Sequence, residues 1–223
     1  QPCSPQNYQK RFNAKRDAGR DWFGGASPSG MSTYRTFAGG GQQFIALHLA
    51  LETPWAELAW AQGVIDANPD KPVMLTTHRY LQDADDYIPD GLEPVTGLAV
   101  TSGRYPSIWY GIEGQYAPGG IQAEDFFRGF VRANQNVFLV NAGHFHEEYR
   151  QTSTNDYGLP VHEVLADWQD DPNGGNGYLR LMQFDTQANR IDVRSYSPTL
   201  DNYLTKDESQ FSLAVNFDDY RAA

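Results

Sequence analysis

FIALHLALETPWAELAWAQGVIDANPDKPVMLTTH, residues 44–78, carries a strand, a helix and a second strand in close succession. Residues 44–51 are apolar except for His48, and glycines 39–41 and Glu52-Thr53-Pro54 bound them. A run of that kind reads as a buried strand. Thr53 before Pro54 is a helix-start signal, and Leu58, Ala61 and Ile65 follow at helical spacing until Asn68-Pro69-Asp70 ends the pattern. VMLTT, residues 73–77, is the next strand. Strand, helix and strand in so short a span predict a right-handed crossover and a parallel pair, and so an α/β core.

Upstream, residues 1–41 are polar and glycine-rich, with a short strand expected only at 32–37. Downstream, residues 79–120 are acidic and rich in Gly, Pro and Tyr, and a connection of that length is expected to be a functional insertion. A short helix at 123–131 and a third core strand, NVFLVN at 136–141, come next. Segments 159–166, 178–184 and 190–196 alternate in polarity between turn residues, which predicts an antiparallel meander. No internal repeat or low-complexity tract is present. A single domain over 1–223 is expected, since 40% hydrophobic residues suffice for one sizeable core.

Lys and Arg number 17 against 28 Asp and Glu, for a net charge of -11. That balance repels polyphosphate backbones, so no nucleic-acid partner is expected. No stretch approaches the roughly 20 apolar residues of a membrane-crossing helix, and no membrane partner is expected. The lone Cys3 has no internal partner and reads as an incidental thiol. With no initiating Met at Gln1, a processed, trimmed or excised form of a longer chain is expected. Acidity combined with 13 Tyr, 12 Phe and 5 Trp suits a secreted or periplasmic origin.

Three histidines carry the chemistry. His78 follows the strand at 73–77, and Gly143-His144-Phe145-His146 follows the strand at 136–141. In extended backbone His144 and His146 point the same way, and Gly143 permits a sharp departure from the strand. Ligands in open α/β sheets gather outside the carboxyl ends of strands, so the three imidazoles are expected in one crevice as ligands of a zinc, iron or manganese ion. H-x-H alone is a weak pattern. Its strength here comes from the strand-end position of both elements. His48 and His162 have no partner at ligand spacing and read as structural. Turn composition explains residues 155–158 and 173–177, which lack the strand-to-helix context of a phosphate loop.

Together with FIALHLAL, the stretch from Trp60 to His78, NVFLVNAGHFHEEYRQTSTNDYGLPVHEVLADWQ, NGGNGYLRLMQFD and VRSYSPTLD, these motifs make the chain resemble the calcineurin-like metallophosphoesterases from about residue 34 to 211. G-H-x-H and the strand-terminal His match that family's two C-terminal metal motifs. The resemblance implies a partial metallophosphoesterase-like β-sandwich flanked by helices, with α+β as the alternative class. It also implies a hydrolase of phosphate mono- or diesters in which two metal ions, bridged by a carboxylate, activate water for in-line attack. His78 and His144 would then bind one ion and His146 the other.

The family's N-terminal motifs, D-x-H, GD-x-x-D and GNH, do not occur in this chain. The resemblance therefore covers the C-terminal half of the family pattern. One ion is expected in this chain alone, and two if an N-terminal fragment or a second copy supplies further ligands. A mononuclear three-histidine site is the other arrangement, with an open position for water. Glu147, Glu148, Asp156 and Asp167 are its candidate extra ligand or general base, with Glu147 and Asp156 the two carried forward as catalytic. Two other readings stay open. One is a carbohydrate-active protein with paired carboxylates, its cleft lined by aromatics such as Tyr80, Tyr87, Tyr105, Trp109, Tyr110 and Tyr116. The other is a non-catalytic binding or structural domain.

Overall fold

The structure is a computed structural model that describes residues 6–83, 102–104 and 119–222. A short helix α1 (Gln6–Phe12) precedes the first strands, β1 (Phe23–Ala26), β2 (Thr33–Gly39) and β3 (Gln42–His48). β2 and β3 form a hairpin whose two-residue loop, Gly40-Gly41, has φ of 59° and 81°. Two consecutive positive φ values match the right-handed twist of the flanking strands, and glycine adopts them without a Cβ penalty. Helix α2 (Trp55–Asp66) then returns the chain to β4 (Val73–Arg79), which lies parallel to β3 as the sequence predicts.

Two-residue strands β5 (Leu81–Gln82) and β6 (Gly103–Arg104) pair antiparallel across the start of the 79–120 segment. Helix α3 (Ala123–Phe126) continues into a π-helical turn at Phe127–Val131, where the sequence predicts one regular helix. The remaining strands are β7 (Val137–Gly143), β8 (Glu147–Thr154), β9 (Pro160–Asp167), β10 (Leu179–Asp185), β11 (Arg190–Ser197), β12 (Asn202–Tyr203) and β13 (Gln210–Ala214).

The fold is mixed α/β. Seven strands form one sheet in the order β1-β2-β3-β4-β7-β9-β8, with parallel pairing at β3/β4, β4/β7 and β7/β9. β10, β11, β12 and β13 form a second, antiparallel sheet, the C-terminal meander. The segment at 159–166 is not part of that meander. As β9 it enters the large sheet between β7 and β8, and its burial over Val161–Leu165 is continuous, as expected for a strand covered on both faces.

Each face of the large sheet has its own core. Ile45, Leu47, Val73, Leu75 and Val140 pack against Leu58, Ala61 and Ile65 of α2 and against Phe126 and Phe130. On the opposite face Phe44, Phe138 and Leu139 meet Ile191 and Val193 of the second sheet. There Phe217 wedges between the sheets, 5.2 Å from the Phe44 ring centroid and 5.6 Å from that of Phe138. Full burial of one such ring contributes roughly 2–3 kcal/mol on transfer scales. These two layers hold β4, β7 and β9 rigidly side by side, with their carboxyl ends at one edge.

Candidate metal centre

β7 and β8 are consecutive in the chain but not in the sheet, because β9 lies between them. The three residues His144, Phe145 and His146 therefore cross two strand spacings, about 10 Å, over the end of β9. Tight reversal at both ends of this bridge places His144 at φ 79° and Glu147 at φ 80°, values unusual for residues with a Cβ. Beneath the bridge is Asp167, the last residue of β9. Its Oδ2 accepts the backbone N–H of His144 at 2.9 Å, and its Oδ1 accepts the backbone N–H of Gln169 at 2.9 Å.

His78 lies within β4, one strand over, because β4 runs two residues beyond the predicted end at Thr77. Its ring stands edge-to-face with that of His144, with centroids 5.0 Å apart and planes at 71°. A Cβ at position 143 would lie 3.4 Å from His78 Nδ1, an ordinary contact distance, so residue 143 borders that ring directly. Burial lowers the pKa of His78 below its usual 6.5, with Asp167 opposing and Arg79 reinforcing the shift. His144 is lowered to about 4, first by burial and then by the charges of His78 and Arg79, against the pull of Asp167. Both shifts favour the neutral imidazole at pH 7, the form that binds metal ions.

His146 faces another set of partners. Gln169 Nε2 donates to His146 Nε2 at 2.7 Å, and His146 Nδ1 lies 2.9 Å from Asp170 Oδ2. Because an amide N–H can only donate, Nε2 accepts here and Nδ1 carries the hydrogen donated to Asp170. Among the described residues, no group of three or more His, Cys, Asp or Glu side chains converges as a metal-holding set. The structure brings His78 and His144 together and turns His146 toward the 167–170 loop. Gln169 and Asp170 escaped the sequence reading; a signal was present in the polar run Gln169-Asp170-Asp171 directly after a buried strand.

The remaining candidates separate by position. Glu147 opens β8 opposite Asp167 in the β8–β9 register, is exposed, and lies 3.7 Å from Lys206 Nζ. Glu148 is buried between the sheets, where it accepts from Arg180, Ser195 and Ser209. Asp156 lies in the β8–β9 turn, at the other end of a strand that spans roughly 23 Å, and pairs with Arg132 at 2.6 Å. It is not brought to the histidines. His162 is structural as expected, bonded at 3.0 Å to both Thr152 Oγ1 and the Ala214 carbonyl. Tyr80 donates to buried Glu163 at 2.6 Å, whereas Tyr87, Tyr105, Trp109, Tyr110 and Tyr116 lie outside the described residues.

No family model matches the chain. It is similar to the uncharacterized protein YvnB of Bacillus subtilis (strain 168), with 29% identity over 220 residues that cover 92% of this chain. The chain spans 15% of the length of that relative.

Proposed function

We propose that His78 and His144 are the imidazole part of a metal-dependent hydrolytic centre for phosphate mono- or diesters. The observation that supports this reading is their edge-to-face approach at 5.0 Å, from the carboxyl ends of adjacent parallel strands. Two neutral imidazoles fit a zinc, iron or manganese ion as half of a four-ligand set, and they leave positions for water, substrate and further ligands. When bound, such an ion lowers the pKa of coordinated water and neutralises charge on phosphoryl oxygens.

The chain's own groups have distinct tasks in this reading. Both Asp167 oxygens are occupied by backbone amides, so Asp167 is a positioning residue that fixes the direction of the His144 backbone. Arg79 is buried in an ion pair with Glu52 and adds positive potential behind the rings, which favours an anionic substrate. His146, in the same loop, would hold a second ion were its ring turned away from Gln169 and Asp170. Glu147, at the edge beside Asp167, is the candidate general base.

A second reading, glycoside hydrolysis by paired carboxylates, has one observation in its favour, the placement of Glu147 opposite Asp167. Chelation separates the two. The test is elemental analysis of zinc- or manganese-loaded wild type, His78→Ala, His144→Ala and His146→Ala, together with turnover of 4-nitrophenyl phosphate and bis(4-nitrophenyl) phosphate. The expected result is about one ion or less in wild type, lost in His78→Ala and His144→Ala, and ester turnover abolished by EDTA. Equal metal content in all four proteins overturns the proposal.

A further inference from the structure

Alternation in the second sheet sends Ile191, Val193 and Leu213 into the core against the large sheet and turns the residues between them outward. Strand register arranges that outer face in rows. Leu179, Tyr196 and Tyr203 stand side by side on β10, β11 and β12. Leu181, Arg194 and Gln210 make the next row, and Gln183, Asp192 and Ser212 the third. Rows of this kind lie roughly 7 Å apart. The face is therefore apolar at one end and polar at the other.

Exposed apolar side chains scattered singly are ordinary, but Leu179, Leu181 and Tyr203 adjoin one another and are 40%, 43% and 48% exposed. Tyr196 donates to Asp201 at 2.7 Å, which fixes its ring, and the Tyr203 ring lies 4.7 Å from it at 39°. Beside Tyr203 is a depression of about 250 Å³, lined by Leu181, Gln183, Asp192 and Arg194. Among the described residues, the side chains of Gln183 and Arg194 have no hydrogen bond or ion pair. Asp192 accepts from Ser212 at 2.5 Å and Arg190 at 3.1 Å, and a carboxylate has about four lone-pair sites, so it keeps room for more.

These features choose between occupants. The depression is smaller than the about 300–1,000 Å³ of drug-sized pockets, too small for a helix or loop of a partner. A second copy would bring another net charge of -11 against this one. A pyranose sugar satisfies both ends of the face. Its axial hydrogens make a flat apolar surface that rests on an aromatic ring, and its hydroxyls both donate and accept, as a guanidinium, an amide and a carboxylate together require.

We infer that the outer face of the second sheet binds a neutral pyranose sugar, its apolar face on Tyr203 and Leu181 and its hydroxyls on Arg194, Gln183 and Asp192. No histidine takes part, so the inference does not depend on the phosphoesterase reading.

The test follows isotope-labelled tyrosine rings by two-dimensional NMR as methyl β-glucoside, β-galactoside, α-mannoside and β-xyloside are added to the wild-type protein. Sorbitol, which carries the hydroxyls without the flat ring, is the control. Tyr203→Phe identifies the Tyr203 signal by its loss. A saturable shift of the Tyr196 and Tyr203 signals is expected with at least one pyranoside and none with sorbitol. Tyr203→Phe keeps the platform and should retain binding, read at Tyr196, whereas Tyr203→Ala should abolish it. Arg194→Ala should weaken binding about fivefold, as the loss of one hydrogen bond predicts. Leu181→Lys, a change at an exposed side chain, takes the place of Tyr203→Ala should that variant fail to fold. No saturable shift with any pyranoside, an equal shift with sorbitol, or undiminished binding in the alanine variants overturns the inference. So does movement of the same signals on dilution without sugar, which would assign the face to a second copy.

Discussion

The backbone N–H of His144 donates to Asp167 Oδ2 over 2.9 Å and so fastens the bridge between β7 and β8 to the end of the strand it crosses. The bond also holds His144 at a φ of 79°, where a Cβ is disfavoured. His144→Gly and His144→Ala both remove the imidazole, but glycine relieves the backbone. His144→Gly is expected to be more stable than His144→Ala by about 1 kcal/mol, read from urea midpoints. Equal midpoints would show that the bridge relaxes out of the left-handed region.

Asp167 should matter more for geometry than for proton transfer. Asp167→Ala removes two acceptors from partly buried amides and is expected to cost about 1–3 kcal/mol in denaturant stability. Asp167→Asn keeps one acceptor oxygen and should recover part of the loss. In both variants metal uptake should fall, with the pH dependence of any ester turnover unmoved. A turnover profile that loses its basic or acidic limb would instead make Asp167 a proton carrier.

Stability should fall on acidification in a window set by His144. Its pKa is about 4 in the folded protein and near 6.5 when unfolded, so between those values the unfolded chain binds the proton first. Wild type is therefore expected to lose stability as pH falls from 6.5 toward 4, with no contribution from this group above 6.5. His78, His48 and His162 are lowered by burial as well and act in the same direction. Urea midpoints at pH 7 and pH 5 for wild type and His144→Gln measure the share of His144; a smaller drop is expected in the variant.

Glu163 is a fully buried carboxylate that accepts from Tyr80, Arg104, Ser153 and Gln151 at 2.6, 2.8, 2.6 and 3.1 Å. Replacing it by Gln turns an acceptor-only group into one that points its own N–H toward these donors. Glu163→Gln is expected to destabilise by about 3–5 kcal/mol, the usual cost of breaking a buried charge pair. An unchanged calorimetric Tm would mean that the network rearranges without loss.

The hairpin at Gly40-Gly41 offers a purely steric comparison. A Cβ on Gly40 would meet Thr186 Oγ1 at 2.1 Å, while one on Gly41 meets open space. Both positions have positive φ, so each alanine costs about 1 kcal/mol of backbone strain. Gly40→Ala should cost more than Gly41→Ala, because Thr186 must also give up its bond to the Gly40 carbonyl. Thermal unfolding of the two variants is sufficient to rank them.

The β3–α2–β4 unit was legible in the sequence because its strands are apolar runs with hard boundaries and its helix has an apolar stripe. β8 was not, since EEYRQTST is an edge strand with alternate residues in solvent, and its composition is that of a loop. The alternation of β10 and β11 predicts the second sheet, yet the same alternation in β9 points to that meander while the strand pairs with β7 and β8. Alternation reports which face is buried but not which strand lies alongside. At the candidate site the pairing of His78 with His144 followed from their strand-end positions. The orientation of His146 did not, because it depends on Gln169 and Asp170, held by hydrogen bonds that have no periodicity to read.

The pairing of Leu81–Gln82 with Gly103–Arg104 means that the chain leaves the sheet and rejoins it at nearly one point. Arg104 is bonded there to Glu163 of β9 at 2.8 Å, inside the large sheet. Gln82 and Gly103 are thereby held as neighbours, so a change at Arg104 reaches the interior of β9 directly.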